Sequence, residues 1–125
     1  MRVEIPMLPP KQCSPNWRGH WANRARSVSS FRNAAFVCCI ADLDRDFTQL
    51  EKAEVQVTLV IRDQRYIRDT DNMLASLKPA IDGCVDFGII AGDDDAHLRY
   101  RLPILYKMDK QHSPLTILEF KEIKW

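Results

Sequence analysis

The chain has 125 residues, enough for one hydrophobic core but not for two, so we expect a single domain over residues 1–125. Its hydrophobic fraction of 46% and charged fraction of 28% are close to globular averages, which argues against wholesale disorder and against a fibrous protein. No apolar run approaches the roughly 20 residues that cross a bilayer, and no signal-peptide core follows the first residues. We therefore expect a cytoplasmic protein with no membrane partner.

The net charge of +1 is distributed unevenly along the chain. Residues 1–34 contain six basic residues against one acidic residue, whereas the acidic residues gather in residues 42–54, 63–71 and 82–95. A basic segment beside acidic clusters is typical of a metal-dependent enzyme that acts on a polyanion, because a bound cation offsets the carboxylates locally. A solvated surface with scattered arginines explains the charges equally well.

The four cysteines show neither C-x-x-C spacing nor a nearby pair of histidines, so we do not expect structural zinc. They are Cys13, Cys38, Cys39 and Cys84. Cys38 and Cys39 lie in an apolar run and are interpreted as small buried hydrophobic residues, reduced in a cytoplasm.

The start of the chain predicts a strand and then an irregular arm. Alternating apolar side chains predict a strand over residues 2–8, which stops at the rigid Pro9-Pro10 turn. Residues 11–28 show no clean period, so we expect a loop or an irregular arm there. Its aromatic residues, Trp17 and Trp21, either cover the core or help to bind nucleic acid. The arginines predicted to contact DNA from this arm are Arg18, Arg24 and Arg26.

A helix is predicted to follow the arm and to end near Asp46. Either Ser29 or Ser30 can cap its N-terminus. Its apolar residues recur at the i, i+3, i+4 spacing of a buried helical stripe. They are Phe31, Ala34, Ala35, Cys38, Cys39 and Leu43.

A second strand and a second helix are predicted in the middle of the chain. Residues 54–61 alternate with one fully apolar face, which is the period of a strand. The helix that follows is predicted to be capped by Asp71 or Asn72 and to run to about Val85. Pro79 falls within it and is predicted to bend or split it, because proline removes a hydrogen bond and crowds the preceding turn.

The end of the chain predicts two further strands. Gly83 or Gly88 is expected to end the second helix, and the strands are expected at residues 98–108 and 115–123. The whole pattern predicts an α/β (α+β) fold, a small domain with a mixed sheet of about four strands and two main helices.

The segment Asp69-Thr70-Asp71-Asn72 is the first candidate for chemistry. In an extended segment residues i and i+2 point the same way, so Asp69 and Asp71 can present two carboxylates to one hard cation. Mg²⁺ suits such a site, with Mn²⁺ as an alternative. Asp71 also stands at a predicted helix N-terminus, where an anion is favoured and a phosphate can approach. Taken alone, D-x-D is also common in Asx turns and N-caps.

Lys78 lies seven residues after Asp71, within about 20° of the same helix face. It can therefore reach a phosphate bound at the metal and stabilise the charge that develops there. Asp82 can hold the Lys78 ammonium through an i, i+4 pair. Asn72 and Asp82 are accordingly predicted to support the site from neighbouring positions. A surface lysine that merely extends into solvent is the alternative.

The run Asp93-Asp94-Asp95 is predicted to supply a third carboxylate for in-line phosphodiester hydrolysis. Three consecutive aspartates repel one another and cannot pack in a core, so an ordered run needs a nearby cation. A solvated turn is the competing interpretation.

In combination these motifs resemble the RusA family of Holliday-junction resolvases, common in phages and prophages. The resemblance covers most of the chain in order and is densest over residues 68–96. It is carried by Ile5-Pro6-Met7-Leu8-Pro9-Pro10, Arg68-Asp69-Thr70-Asp71-Asn72, Lys78-Pro79-Ala80-Ile81-Asp82-Gly83 and Gly88-Ile89-Ile90-Ala91-Gly92-Asp93-Asp94-Asp95-Ala96. It implies a RusA-like fold and a symmetric homodimer that cuts four-way DNA by paired Mg²⁺-dependent nicks.

By this resemblance the metal ligands are Asp69, Asp71 and one of Asp94 or Asp95, of which Asp95 is favoured, and Lys78 is the catalytic lysine. Arg68 joins the arm arginines and Lys78 as a predicted DNA contact. The family's most familiar pattern has its lysine one helical turn after the second aspartate. Here that position is Ala75, and the lysine follows after two turns.

Two rival functions remain open from the sequence. One is a nuclease of the same chemistry that acts on other branched DNA or on structured RNA. The other is a DNA-binding or assembly module without catalytic activity, whose acidic residues solvate a loop.

Overall fold

A computed structural model of the chain describes residues 1–124. Trp125, predicted to be an ordinary packing or terminal residue, lies outside the described residues. The elements in chain order are β1 (Arg2–Ile5), α1 (Trp21–Asp42), β2 (Ala53–Ile61), α2 (Thr70–Phe87), β3 (Leu98–Met108) and β4 (Leu115–Glu122), with 3₁₀ turns at Lys11–Cys13 and Gln64–Tyr66. The predicted fold class is confirmed, because two helices accompany a four-stranded mixed sheet.

The sheet has the strand order β1-β4-β2-β3. The β1–β4 and β4–β2 pairs are antiparallel, and β2 and β3 are parallel, with Ala53 opposite Leu98 at one end and Ile61 opposite Met108 at the other. A parallel pair needs a crossover connection, and α2 provides it. Consequently α2 starts near the C-terminal end of β2 and returns along the sheet before β3 begins.

The core lies between the sheet and the two helices. Alternate residues of β2 are buried from Ala53 onward, which confirms the strand predicted from its period. In α1 the buried residues are four positions apart, as the helical repeat requires, whereas α2 buries a broader stripe that includes adjacent residues. The buried hydrophobic residues of α1 and α2 are Phe31, Ala35, Cys39, Met73, Leu77, Ala80, Ile81 and Cys84.

The helices α1 and α2 approach each other closely at Gly83. A Cβ atom added there would collide with the backbone carbonyl of Arg32 in α1 and with the Ala35 side chain. Only glycine lets the two helix backbones come so near. This contact places the Gly83 side of α2 against α1.

The start of α1 differs from the prediction. The helix begins at Trp21, so its first two turns lie in the segment expected to be irregular, and the predicted serine caps are helix-interior residues. His20 is the N-cap, and its Nδ1 atom accepts a hydrogen bond from the Ala22 amide at 3.1 Å. Histidine is not among the preferred N-caps, and few residues of these turns are buried, so neither capping chemistry nor apolar period marked the boundary. The helix also ends earlier than predicted, at Asp42.

The helix α2 is confirmed with different ends. Its N-cap is Asp69, two residues before the first predicted cap, and it runs to Phe87. Pro79 was predicted to bend or split the helix; it lies inside one continuous helix, so the split does not occur. Gly88, one of the two predicted stops, ends the helix at a φ of 100°, a left-handed conformation that glycine adopts without strain.

The remaining strands and the cysteines agree with the predictions in part, because β1 is shorter than predicted and Cys38, predicted to be buried, is only partly buried. β3 has the predicted bounds, β4 ends one residue early, and β1 ends at Ile5, three residues before its predicted end at Leu8. All four cysteines are free thiols, and the Sγ atoms of Cys39 and Cys84 lie 3.8 Å apart between the helices. Neither helix, nor any other in residues 1–124, is both long and apolar enough to cross a membrane.

Candidate functional site

The carboxylates of Asp69 and Asp71 lie at the N-terminus of α2. Both residues are exposed, and neither side chain forms a hydrogen bond or an ion pair with another residue among 1–124. The main chain at Asp69 is still extended, but the helix begins at Thr70. Asp71 is therefore helical, and the prediction that both carboxylates point the same way from an extended segment is wrong. They lie instead at the N-cap and in the first turn, where the helix dipole favours negative charge.

The loop before α2 is held by Tyr66. Its hydroxyl donates a hydrogen bond to the Pro9 carbonyl at 2.5 Å, which links the 3₁₀ turn to the segment after β1. Burial raises the pKa of this phenol to about 12, so the hydroxyl stays protonated well above neutral pH. The guanidinium of Arg68, a predicted DNA contact, lies 5.0 Å from the centroid of the same ring. Tyr66 thus supports the residue immediately before Asp69.

The ammonium of Lys78 is held by two carboxylates. It donates to Asp82 Oδ1 at 2.7 Å, which confirms the predicted i, i+4 pair, and it also pairs with Asp93 Oδ2. Asp82 and Asp93 are each about 29% exposed in their side chains, whereas the lysine side chain is 53% exposed. The lysine therefore anchors the acidic loop to the middle of α2.

An arginine from α1 extends this charge cluster. Arg32 donates to both carboxylate oxygens of Asp86 in α2, at 2.6 and 2.8 Å, and its Nη1 atom is 4.0 Å from Asp82 Oδ2. The hydrogen bond from Arg32 lowers the pKa of Asp86. Asp82 lies between two cations from different elements, so α1, α2 and the acidic loop are connected through it.

The three consecutive aspartates have three different environments. Asp93 contacts Lys78, whereas Asp94 Oδ1 lies 2.8 Å from Nδ1 of His97 and accepts a hydrogen bond from the Ala96 amide at 2.9 Å. The hydrogen bond with His97 is the main reason why the pKa of Asp94 is lowered. Asp95 is exposed and has no side-chain partner within the described chain. The counter-cation that the sequence required is present as Lys78.

The predicted site residues fall into two groups. One contains Lys78, Asp82 and Asp93, which the structure brings into contact. The other contains Asp69 and Asp71, which at the usual rise per residue lie about 14 and about 10 Å from Lys78 along the helix axis. No cluster of three or more His, Cys, Asp and Glu side chains with metal-binding geometry occurs in residues 1–124.

The donor chemistry at the start of α2 nevertheless fits Mg²⁺. This ion prefers oxygen ligands and is usually bound through one or two carboxylates, with waters and substrate phosphates in the remaining positions. Asp69 and Asp71 supply such carboxylates with every oxygen free of other described side chains.

The predicted DNA contacts of the arm lie around the start of α1. Arg18 and Arg26 are exposed, and Arg24 is half-buried, where its Nη1 atom donates to the Ser14 carbonyl at 3.2 Å. Arg26 contacts the side-chain oxygen of Asn23. The predicted supporting residue Asn72 is half-buried, and its carbonyl accepts a hydrogen bond from Ser76 Oγ at 2.9 Å.

The contacts of Asp94, Asp93 and Arg32 in the site were not predicted from the sequence. His97 lies three residues after Asp94, a spacing at which side chains in a tight turn can meet, so this pair had a local signal. No local signal indicated the other two pairs, because Asp93 is 15 residues from Lys78 and Asp86 is 54 residues from Arg32.

Compared with known proteins, the chain matches no protein-family model and no curated sequence. The resemblance to RusA resolvases therefore rests on the motifs of the chain itself and stays a prediction.

Proposed function

We propose that the protein is a Mg²⁺-dependent endodeoxyribonuclease that resolves four-way DNA junctions by paired, symmetric nicks in phage or prophage recombination and repair. The observation that carries the proposal is the pair of exposed carboxylates without partners at the N-terminus of α2, on the helix that also bears Lys78. The positive end of the helix favours negative charge at these two positions and attracts a phosphate to the same place.

In this proposal Asp69 and Asp71 hold the metal, and Asp95, or Asp94 in its place, completes the ligand set from the loop before β3. The bound ion supplies a Lewis acid that polarises the scissile phosphate.

Lys78 provides the positive charge that the phosphate needs as the bond breaks. Its contacts with Asp82 and Asp93 hold the ammonium in one place and reduce the conformational freedom of the side chain. The two-turn interval between Asp71 and Lys78 keeps both on one helix face, so the longer spacing preserves the direction of the lysine.

The basic arm would hold the DNA backbone outside the cleavage site. Arg18, Arg24 and Arg26 lie around the start of α1, and Arg68 precedes the metal-binding pair. A homodimer suits a four-way junction, because two-fold symmetry presents two cleavage sites to two opposed strands.

The decisive experiment is cleavage of a synthetic four-way junction in Mg²⁺, with EDTA as the control and linear duplex of the same sequence as competitor at one stated salt concentration. We expect paired nicks at symmetric positions that depend on Mg²⁺, with Mn²⁺ tested as the alternative ion. Cleavage of flaps, forks or structured RNA with the junction left intact would favour the related nuclease. Junction binding without cleavage in either ion would favour the non-catalytic module.

A further inference from the structure

An exposed pair of aromatic rings lies at the start of α1. Trp21 is 74% exposed, more than any other large hydrophobic side chain in the described part of the chain. The imidazole of His20 stacks on its indole, with ring centroids 5.6 Å apart and ring planes 28° apart. An indole in water forgoes the hydrophobic stabilisation that burial would give it, so a ring kept in this position is suited to being covered by a ligand.

The orientation of this pair is fixed by the helix cap. The hydrogen bond from the Ala22 amide to His20 Nδ1 anchors the imidazole, and the imidazole in turn restrains the indole. A flat ligand that stacks on Trp21 therefore meets a surface already in place. Less side-chain entropy is lost on binding than with a freely rotating ring.

The neighbouring tryptophan of the arm is used differently. Trp17 is partly buried, and its ring lies so close to Gly19 that a Cβ atom added there would collide with it. Trp17 therefore packs on its own segment, and only Trp21 presents its ring face to solvent. The sequence predicts the same two alternative roles for both tryptophans, whereas in the structure one is packed and the other exposed.

The charges around the pair select the kind of ligand. Residues 5–41 contain no aspartate or glutamate and five basic residues, three of which lie within five positions of Trp21. These are Arg18, Arg24 and Arg26. A second copy of the chain is a poor occupant, because two-fold symmetry would bring these cations against one another. An aromatic platform among cations matches a polyanion that carries flat rings.

We propose that the His20–Trp21 pair is a stacking site for an unpaired nucleobase of a DNA strand whose phosphates contact Arg18, Arg24 and Arg26. The choice of DNA as the polyanion rests on the proposed function. Stacking of bases on aromatic side chains, with arginines along the backbone, is the general means by which proteins bind single strands. At a four-way junction the site would engage a base unstacked at the branch point.

The experiment separates bases from phosphates. Binding of oligothymidylate is compared with binding of an abasic oligonucleotide of the same length, in EDTA, so that cleavage does not enter the measurement. We expect the wild-type protein to bind oligothymidylate roughly 5- to 100-fold more tightly than the abasic strand. Trp21→Ala should bring this ratio of affinities close to one and leave the affinity for the abasic strand unchanged.

Three further variants serve as matched controls. His20→Asn keeps a preferred N-cap acceptor but removes the ring, and it should lower the ratio in part. Arg18→Gln should weaken both oligonucleotides by the same factor, since it removes only a phosphate contact. Ile40→Ala, at a residue of the same helix that is 58% exposed, should leave both affinities unchanged.

Quenching of the intrinsic tryptophan fluorescence of the wild-type protein gives a readout that needs no variant, and it should be stronger with oligothymidylate than with the abasic strand. A wild-type ratio of one, or a Trp21→Ala protein that keeps the wild-type ratio, overturns the proposal. The proposal is also overturned if Trp21→Ala changes the sedimentation mass of the free protein but not the ratio of the two oligonucleotide affinities. The Trp21 ring would then contact another protein chain. If the junction is not cleaved but the wild-type ratio of the two oligonucleotide affinities is as expected, only the proposed nuclease function is contradicted.

Discussion

The two acidic segments of the candidate site carry the same side chain in opposite circumstances. Asp69 and Asp71 are exposed and unpaired at a helix N-terminus, whereas in the loop before β3 Asp93 pairs with Lys78 and Asp94 with His97. A carboxylate that already accepts hydrogen bonds has fewer lone pairs to offer a cation. Asp69 and Asp71 are therefore available as metal ligands, whereas Asp93 and Asp94 hold the loop. Asp95, which is exposed and has no described partner, is available as a ligand too.

The largest effect is expected from Asp71→Asn. The change keeps the shape of the side chain but removes a charged ligand, so Mg²⁺-dependent junction cleavage should fall by about 100-fold or more. Junction binding in EDTA should be kept or strengthened, because a negative charge near phosphate is removed. Asp44→Asn, at an exposed position after α1, is the matched control and should cleave normally. Normal cleavage by the Asp71 variant would remove this helix terminus from the site.

A smaller difference is expected within the acidic run. Asp95→Asn should raise the Mg²⁺ concentration needed for half-maximal cleavage by roughly 10-fold or more, since this carboxylate has no other described partner. Asp94→Asn should raise it less, because one oxygen of Asp94 is engaged by His97 and the Ala96 amide. Metal titrations of the two variants decide the choice, and the reverse order would assign the ligand to Asp94.

Asp93→Asn should affect the position of the Lys78 ammonium and leave the Mg²⁺ concentration needed for half-maximal cleavage unchanged. Loss of the pair with Lys78 should slow cleavage roughly 2- to 5-fold at saturating Mg²⁺, as expected for an exposed ion pair that positions one charge. Asp82→Asn, which removes the other partner, should behave similarly. A changed metal requirement in either variant would contradict the assignment of these residues to positioning.

The smallest effect concerns the loop that carries the first segment. Tyr66→Phe should lower the free energy of unfolding by about 1 kcal/mol, since it removes the hydrogen bond to the Pro9 carbonyl. The folded phenol has its pKa raised from 10.0 to about 12, so the unfolded chain releases this proton first. Its contribution is therefore complete below pH 10 and declines as the pH rises toward 12.

Denaturant titrations of both proteins at pH 8 and above pH 10 test this prediction. The wild-type protein should lose more stability than the Tyr66→Phe variant over that interval. Equal losses in the two proteins would mean that the phenol contributes nothing to the stability of this loop.

The sequence determined the regular elements with strong periodicity. The alternation of β2, the buried stripe of α2 and the bounds of β3 follow from local residue order, because period two and period 3.6 are set by the backbone geometry of each element. The i, i+4 pair of Lys78 and Asp82 was also local and was predicted. The start of α1 was missed, because its first turns are exposed and its cap is a histidine.

Only the tertiary structure decided how distant charges are shared. The pairing of Asp93 with Lys78 and of Arg32 with Asp86, and the exposure of Trp21 beside a packed Trp17, depend on how the helices and the loop fold against one another. The sequence shows which side chains can ionise or stack, but their partners lie in other elements. Packing between elements, as at Gly83, decides which side chains meet. For this reason the motif Asp69-Thr70-Asp71-Asn72 could be found in the sequence, whereas the different surroundings of the three aspartates could not.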